Sequence, residues 1–360
     1  MDIGIDARAA TEEIAGRGRV VRELLRAFAD RDDDYRYTLF AGTTWDHPLD
    51  DRFSWQVVAG GPGLFQRRAA QFATRRCDAY LAPNSYLGAL FAHVPTATVV
   101  HDLVAFDRAS GAPRRSQVVE RLTLGQAVRR SAVLLAVSHA TAESLVDRFP
   151  AASSKVRVMP LGVSPALDPD TPSRADVADG FVLAVGTLEP RKNFPRLVEA
   201  YQALPADLQQ RHPLVVVGRH GWGTSQTVRA LESLGERCHV LGAVPDDVLA
   251  DLYRRCAVFC YPSLAEGFGL PVLEAMAAGA PVLTSDRSSL PEVGGDAVEY
   301  VDPTDTQDIA RKLAALLLDD DVRADLGRRA VVRAADFSWD RTAEVALAAI
   351  EETARQRVAR

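Results

Sequence analysis

Short apolar runs alternate with longer amphipathic stretches along the whole chain. The runs fall at 37–41, 79–82, 97–100, 133–137, 181–185, 214–217, 258–261 and 281–284. They are rich in Val, Leu, Ile and aromatics, and several are apolar at every position. That pattern predicts parallel strands covered on both faces. Helical stretches lie between them, at 18–29, 116–130, 194–204 and 272–278. The alternation predicts βαβ units and therefore doubly wound parallel sheets. One segment breaks it. Pro160, Pro165, Pro169 and Pro172 crowd into a polar stretch that can form neither a helix nor a central strand.

The predicted organisation is a domain over 1–162, a linker over 163–180, a second domain over 181–338 and a terminal helix over 339–360 that packs back on the first domain. A chain of 360 residues suits two domains of ~150 residues each. Two such domains would face a central cleft, since ligands bind beyond the carboxyl ends of the strands in open α/β sheets.

Composition narrows the class. The apolar fraction of 47% and charged fraction of 25% are globular values, which exclude a disordered chain. A net charge of -6 lacks the basic surplus that phosphate backbones demand, so no nucleic-acid partner is expected. The first residues read as a strand, not a signal peptide, and no apolar window reaches the ~18 residues of a membrane span. Cys77, Cys238, Cys256 and Cys260 fit reduced thiols in a cytoplasmic protein, with Cys256 and Cys260 as small buried side chains and not metal ligands.

The densest chemistry lies in 261–279. A strand ends at Tyr261, a glycine loop follows through Gly267 and Gly269, and Pro271 suits the first turn of a helix. Glycines let a ligand approach the backbone, and a helix start supplies N–H donors. Glu266 and Glu274 flank this loop. Two carboxylates are poor phosphate ligands and good acceptors for sugar hydroxyls. Taken alone, the run also fits a capped helix with solvated glutamates.

This run resembles the E-x7-E motif of retaining glycosyltransferases of family four (the glycosyl transferases group 1), which have the GT-B fold of two Rossmann-like domains. Gly186-Thr187-Leu188-Glu189-Pro190-Arg191-Lys192-Asn193 is similar to the family's phosphate-binding turn. Val217 to Trp222 follows the next strand, and Val240 to Val244 resembles the base-binding turn. Ser288-Ser289-Leu290-Pro291-Glu292-Val293 lies beyond the main motif, as in mannosyltransferase-like bacterial members. The likeness spans nearly the whole chain, densely over 180–340 and thinly over 1–160.

The resemblance implies roles residue by residue. Arg191 and Lys192 would clamp the diphosphate of a nucleotide sugar, where Arg forks onto two oxygens and Lys acts as a point charge. Glu266, with the backbone of Phe268, Gly269 and Leu270, would hold the sugar's hydroxyls. Glu274 would take the ribose hydroxyls, Val244 would flank the base, and Gly186 belongs to the phosphate turn. Gly16, ahead of a helix, looks like the family's glycine loop; the third glycine of a dinucleotide fingerprint is replaced by Val21, which argues against NAD. His101 after an apolar strand would orient the transferred sugar. Ser138 reads as a helix N-cap.

No DxD-type metal site accompanies these residues. The runs Asp32–34 and Asp319–321 read as solvated, and no metal or cofactor is expected beyond the donor itself. GDP-mannose is the first donor expected, with UDP- and dTDP-sugars as alternatives. The acceptor would be a carbohydrate or a lipid-linked hydroxyl. Arginine-rich stretches at 67–76 and 114–130, interleaved with Leu64, Phe72, Val118 and Leu122, suit ordinary amphipathic helices or peripheral contact with anionic lipid. The expected activity is retaining, metal-independent hexosyl transfer in bacterial polysaccharide, glycolipid or glycoconjugate synthesis. A GT-B epimerase and a non-catalytic nucleotide-sugar-binding scaffold are the rivals.

Overall fold

The computed structural model describes residues 1–11, 16–61, 63–106, 114–164 and 175–358. The chain divides into two compact units. One comprises Met1–Phe106, Arg115–Gly162 and Ser338–Arg360; the other spans Val163–Phe337. Both are α/β units built on parallel sheets.

The first unit holds seven strands: β1 (Asp2–Asp6), β2 (Arg36–Ala41), β3 (Phe53–Val57), β4 (Ala79–Ala82), β5 (Thr96–Val100), β6 (Val133–Ala136) and β7 (Val156–Val158). Their order is β3-β2-β1-β4-β5-β6-β7, and every pairing is parallel. The second unit holds β8 (Val182–Val185), β9 (Leu214–Val217), β10 (Cys238–Gly242), β11 (Val258–Tyr261), β12 (Val282–Ser285) and β13 (Glu299–Val301). They lie in the order β10-β9-β8-β11-β12-β13, again all parallel.

The central strands are those that the apolar runs predict. β4, β6, β8, β9 and β11 are buried at every position, because helices cover both faces. The runs do not mark β3, β7, β10 and β13, and the sheet order explains the omission. These four are the sheet edges, where half-exposed and polar residues are tolerated.

The strand order reverses direction between β1 and β4 in one sheet and between β8 and β11 in the other. At such a switch point the flanking loops leave on opposite faces and open a crevice at the carboxyl edge.

The helix Trp339–Val358 belongs to the first unit. Ala343, Ala346, Leu347 and Ile350 are buried at helical spacing. Thr342 Oγ1 donates to Pro160 O at 2.6 Å, and Tyr35 OH donates to Glu351 Oε1 at 2.5 Å. The chain leaves the sheet through Gly162, where a Cβ would stand 2.3 Å from Trp339 N. The proline-rich stretch lies in part outside the described residues.

The aspartate runs are less simple than solvated charge. Asp33 accepts from Arg52 at 2.9 Å and from Tyr37 OH at 3.1 Å, while Asp319 caps a helix by accepting from Val322 N at 3.0 Å. Ser138 is the expected cap, accepting from Thr141 N at 3.0 Å. Cys256 and Cys260 are buried free thiols.

Candidate active site

In the second unit the loops after β8, β9 and β10 are stitched edge to edge. Gly186 N donates to Val217 O at 2.9 Å, and Gly218 N donates to Gly242 O at 2.8 Å. The approach is so close that a Cβ on Gly218 would lie 1.9 Å from Gly186 O. Gly186 itself has φ 148°, and a Cβ there would press on the Lys192 stem at 3.3 Å. Space thus dictates glycine at Gly218, and the positive φ favours it at Gly186.

Beyond Gly186 the chain runs extended through Glu189 and enters a 3-10 turn, Pro190–Lys192. Asn193 ends the turn in the left-handed region at φ 63°. Its Nδ2 donates to Pro262 O at 2.9 Å and to Pro303 O at 2.7 Å, which fixes the reversal. The backbone of Arg191 is also fixed, since its carbonyl accepts from Leu264 N at 2.8 Å. Arg191 and Lys192 are thereby presented to the loop after β11, across the switch point.

There the two cations meet two carboxylates. Arg191 Nη1 donates to Glu266 Oε2 at 2.5 Å, and its Nε lies 2.6 Å from Glu189 Oε1. Lys192 Nζ donates to Glu266 Oε1 at 2.7 Å and also bonds Tyr261 OH. Tyr261 OH in turn donates to Glu266 Oε1 at 2.9 Å, and Ser263 Oγ lies 2.5 Å from the same oxygen. The Glu189, Glu266 and Lys192 side chains are buried, and that of Arg191 is 19% exposed, so the cluster is largely desolvated with Arg191 at its solvent edge.

The electrostatics follow from burial and pairing. Burial pushes the Glu266 carboxyl up, but Arg191, Lys192 and the bonds from Lys192 and Ser263 outweigh it and hold the group at about 2. Burial pulls Lys192 below its usual value, with Glu266 opposing. Glu189 is pushed up by burial, against the pull of Arg191 and Lys192.

Glu266 rides on the glycine loop. Its N–H donates to Ser288 Oγ at 2.9 Å, and Ser289 Oγ donates to Glu266 O at 3.1 Å and Phe268 O at 2.8 Å. Gly269, at φ 104°, caps the helix Leu270–Ala277, with Pro271 in its first turn. The Phe268 ring packs edge-on against Phe337 at 5.8 Å, which leaves its backbone as the part that could meet a ligand. Glu274 is 4% exposed, and its Oε2 accepts from Tyr253 OH at 3.2 Å. Val244 is half-buried in the turn after β10, at the same carboxyl edge.

The first unit carries a separate cavity of mixed lining at its own switch point. This cavity, of 400 Å³, is lined by Arg17, Asn84, Tyr86, His101 and Glu120 among others. His101 Nε2 lies 2.7 Å from Pro83 O. A carbonyl only accepts, so Nε2 carries the proton and Nδ1 is the acceptor. Burial, then the Arg17 charge, lowers the imidazole to about 4, so it is neutral at physiological pH. The Nδ2 group of Asn84 is buried there without a partner among the described residues. Gly16 precedes the helix Arg17–Ala29 at φ 29°, with open space around its Cα. Its neighbour Ala15 lies outside the described residues.

Arg191, Lys192 and Glu266, all marked by their motifs, lie in one cluster. Glu189, Tyr261, Ser263, Ser288 and Ser289 join it without such a mark. Glu189 stands inside the phosphate-turn motif, and its burial beside a cation pair is the signal that the chain does not display.

Comparison with known proteins gives a consistent picture. The family model "Glycosyl transferases group 1" matches residues 171–333, and "Glycosyltransferase Family 4" matches residues 14–167. The O-antigen chain mannosyltransferase B of Escherichia coli is 34% identical over 273 residues, covering 72% of this chain and 71% of that protein. The serotype-specific mannosyltransferase WbdA of the same organism is also 34% identical, but the alignment spans only 33% of its length. The MMP alpha-(1->4)-mannosyltransferase of Mycolicibacterium hassiacum is 29% identical over 83% of this chain and 77% of its own. Among solved structures, Anabaena HepE in complex with UDP-glucose superposes with a TM-score of 0.76 at 18% identity, covering 98% of this chain and 100% of HepE. The sucrose-phosphate synthase of Thermosynechococcus elongatus gives 0.75 at 20% identity, covering 100% and 99%.

Proposed function

Because the chain belongs to glycosyltransferase family 4 and has the GT-B fold, we propose that it moves a hexose from a nucleotide-diphosphate sugar to a hydroxyl acceptor, with retention at the anomeric carbon. The observation that carries the reading is the Arg191–Lys192 pair, half-buried and buried respectively, at a switch point beside Glu266. Cleaving a sugar–phosphate bond puts charge on the leaving diphosphate. Fixed cations at that spot stabilise the transition state more than the ground state, in the role a metal plays elsewhere. The transfer is accordingly proposed to need no divalent ion and to persist in EDTA.

In this reading the bond from C1 to the leaving phosphate breaks as the acceptor oxygen bonds to C1 on the same face. The acceptor's proton passes to the departing phosphate oxygen. Arg191 and Lys192 hold the diphosphate, Glu274 the ribose, and Glu266 the sugar's hydroxyls once it exchanges its present bonds. The neutral His101 is assigned to orienting the sugar, as a hydrogen-bonding group and not as a base. Asn84 Nδ2, unsatisfied in the first unit's cavity, supports a hydroxyl-bearing ligand there.

GDP-mannose is the first donor proposed, on the strength of the mannosyltransferase relatives; a UDP-sugar, as bound by HepE, and a dTDP-sugar are the alternatives. A bacterial polysaccharide is the acceptor proposed, supported by the O-antigen chain relative, with a lipid-linked hydroxyl as the alternative. No helix among the described residues is long and apolar enough to cross a membrane. The exposed Val118, Val119 and Leu122, on an arginine-rich helix, support peripheral contact at a cytoplasmic membrane face.

Incubation of the protein with radiolabelled GDP-mannose, UDP-glucose and a dTDP-sugar plus a bacterial membrane extract tests the reading. Label in the lipid or polymer fraction supports transfer. A rearranged free nucleotide sugar indicates an epimerase, and saturable binding with neither product indicates a scaffold; each overturns it.

A further inference from the structure

The largely buried quartet contains two cations, Arg191 and Lys192, and two carboxylates, Glu189 and Glu266, so its formal charge is zero before any donor arrives. An incoming diphosphate must take bonds that a carboxylate now holds. The two carboxylates are not equally able to give them up.

Glu266, whose backbone Ser288 and Ser289 brace, bonds through both oxygens to the cations that the diphosphate needs, and it keeps Tyr261 OH and Ser263 Oγ as partners when those cations turn to a ligand. Glu189 sits on a segment anchored on both sides. Leu188 N donates to Arg219 O at 2.9 Å, Gly221 N donates to Leu188 O at 3.2 Å, and Pro190 starts the 3-10 turn that Asn193 locks. Its contact with Arg191 is to Nε, whereas Glu266 takes Nη1. A guanidinium is planar, so fixing the Nε edge fixes the direction of the whole fork.

We propose that Glu189 is a positioning residue of the donor site: it keeps the Nε edge of Arg191 docked while Glu266 yields Nη1 and Lys192 Nζ to the diphosphate. Its negative charge also limits how tightly the diphosphate product is held, so that the product leaves. This inference rests on the donor-site reading above and adds to it a residue that touches neither donor nor acceptor.

Two substitutions separate geometry from charge. Glu189→Gln keeps an acceptor for the Arg191 Nε–H and removes the charge. Glu189→Ala removes both. Steady-state kinetics with the nucleotide sugar that the wild type uses, and inhibition by GDP and UDP, give the readouts. In Glu189→Gln, inhibition by the matching nucleoside diphosphate is expected to tighten about tenfold, as one charge removed from a desolvated site. In Glu189→Ala, kcat is expected to fall roughly a hundredfold, the cost of a misdirected catalytic group, with a smaller change in KM. Glu189→Asp, which restores the charge, should return the inhibition constant toward wild type.

An unchanged inhibition constant in Glu189→Gln overturns the inference, and that variant decides the matter alone should Glu189→Ala not fold. Equal loss of kcat in the Gln and Ala variants, tracking a fall in melting temperature, also overturns it, because a merely structural carboxylate would behave so. If the wild type neither transfers sugar nor binds GDP or UDP, the donor-site reading itself fails and takes this inference with it.

Discussion

Lys192 Nζ donates to Glu266 Oε1 at 2.7 Å, with both side chains more than nine-tenths buried. A buried ion pair is tolerated only while each partner compensates the other. Lys192→Met alone should therefore destabilise the second unit by about 3–5 kcal/mol, because Glu266 and Glu189 are left against Arg191. Lys192→Met combined with Glu266→Gln should cost less than the sum of the two single changes. Denaturant titration of all four proteins checks this; strict additivity would sink the claim that the pair is coupled.

Gly218 has no room for a side chain, since the Cβ of alanine would stand 1.9 Å from Gly186 O. At φ 158° the backbone conformation adds to the constraint. Gly218→Ala is expected to separate the β8 and β9 loops and to cost more than about 4 kcal/mol, the range reserved for enforced clashes in packed regions. A soluble variant melting within a few degrees of wild type would contradict it.

His101 makes a pH prediction with a definite sign. Its folded value of about 4 lies below the ordinary 6.5. Between those values the unfolded chain binds a proton that the native chain refuses. The stability associated with neutral His101 is thus intact above pH 6.5 and is lost progressively as pH falls toward 4. Thermal melts across this range should show a steeper loss in wild type than in His101→Gln. Parallel curves would count against it. Transfer should likewise show no inflection near pH 6.5 from this residue.

Glu274 is assigned to ribose hydroxyls and has Tyr253 as a partner. Glu274→Ala should abolish measurable transfer while circular dichroism stays native. Tyr253→Phe removes only one bond to Glu274 and should weaken donor affinity several-fold, by about 1 kcal/mol. Near-normal turnover in Glu274→Ala would refute the assignment.

The terminal helix is expected to stabilise only the unit it joins. Ile350 is 1% exposed on its inner face. Ile350→Ala should cost about 2–5 kcal/mol. Hydrogen exchange should speed up in β4, β5 and β6 and stay unchanged in β8 to β13. Uniform acceleration across both sheets would show that the helix has a wider role.

The sequence marked the central strands and the two α/β units, and it named Arg191, Lys192, Glu266 and Glu274 as candidates. Those features are local or periodic: an apolar run reads as a covered strand, and a glycine loop before Pro271 reads as a helix start. The edge strands β3, β7, β10 and β13 escaped it because solvent-facing strands carry no continuous apolar run. Packing, in contrast, sets the bonds of Glu266 to the two cations, the hold of Glu189 on Arg191 Nε, and the bracing of the glycine loop by Ser288 and Ser289. Residues 75 positions apart, such as Arg191 and Glu266, meet only because β8 and β11 are neighbours at a reversal of strand order. Pairing across a switch point leaves no mark on either segment by itself, and burial, which turns a surface charge into a largely desolvated quartet, is a property of the packed sheet and not of the chain.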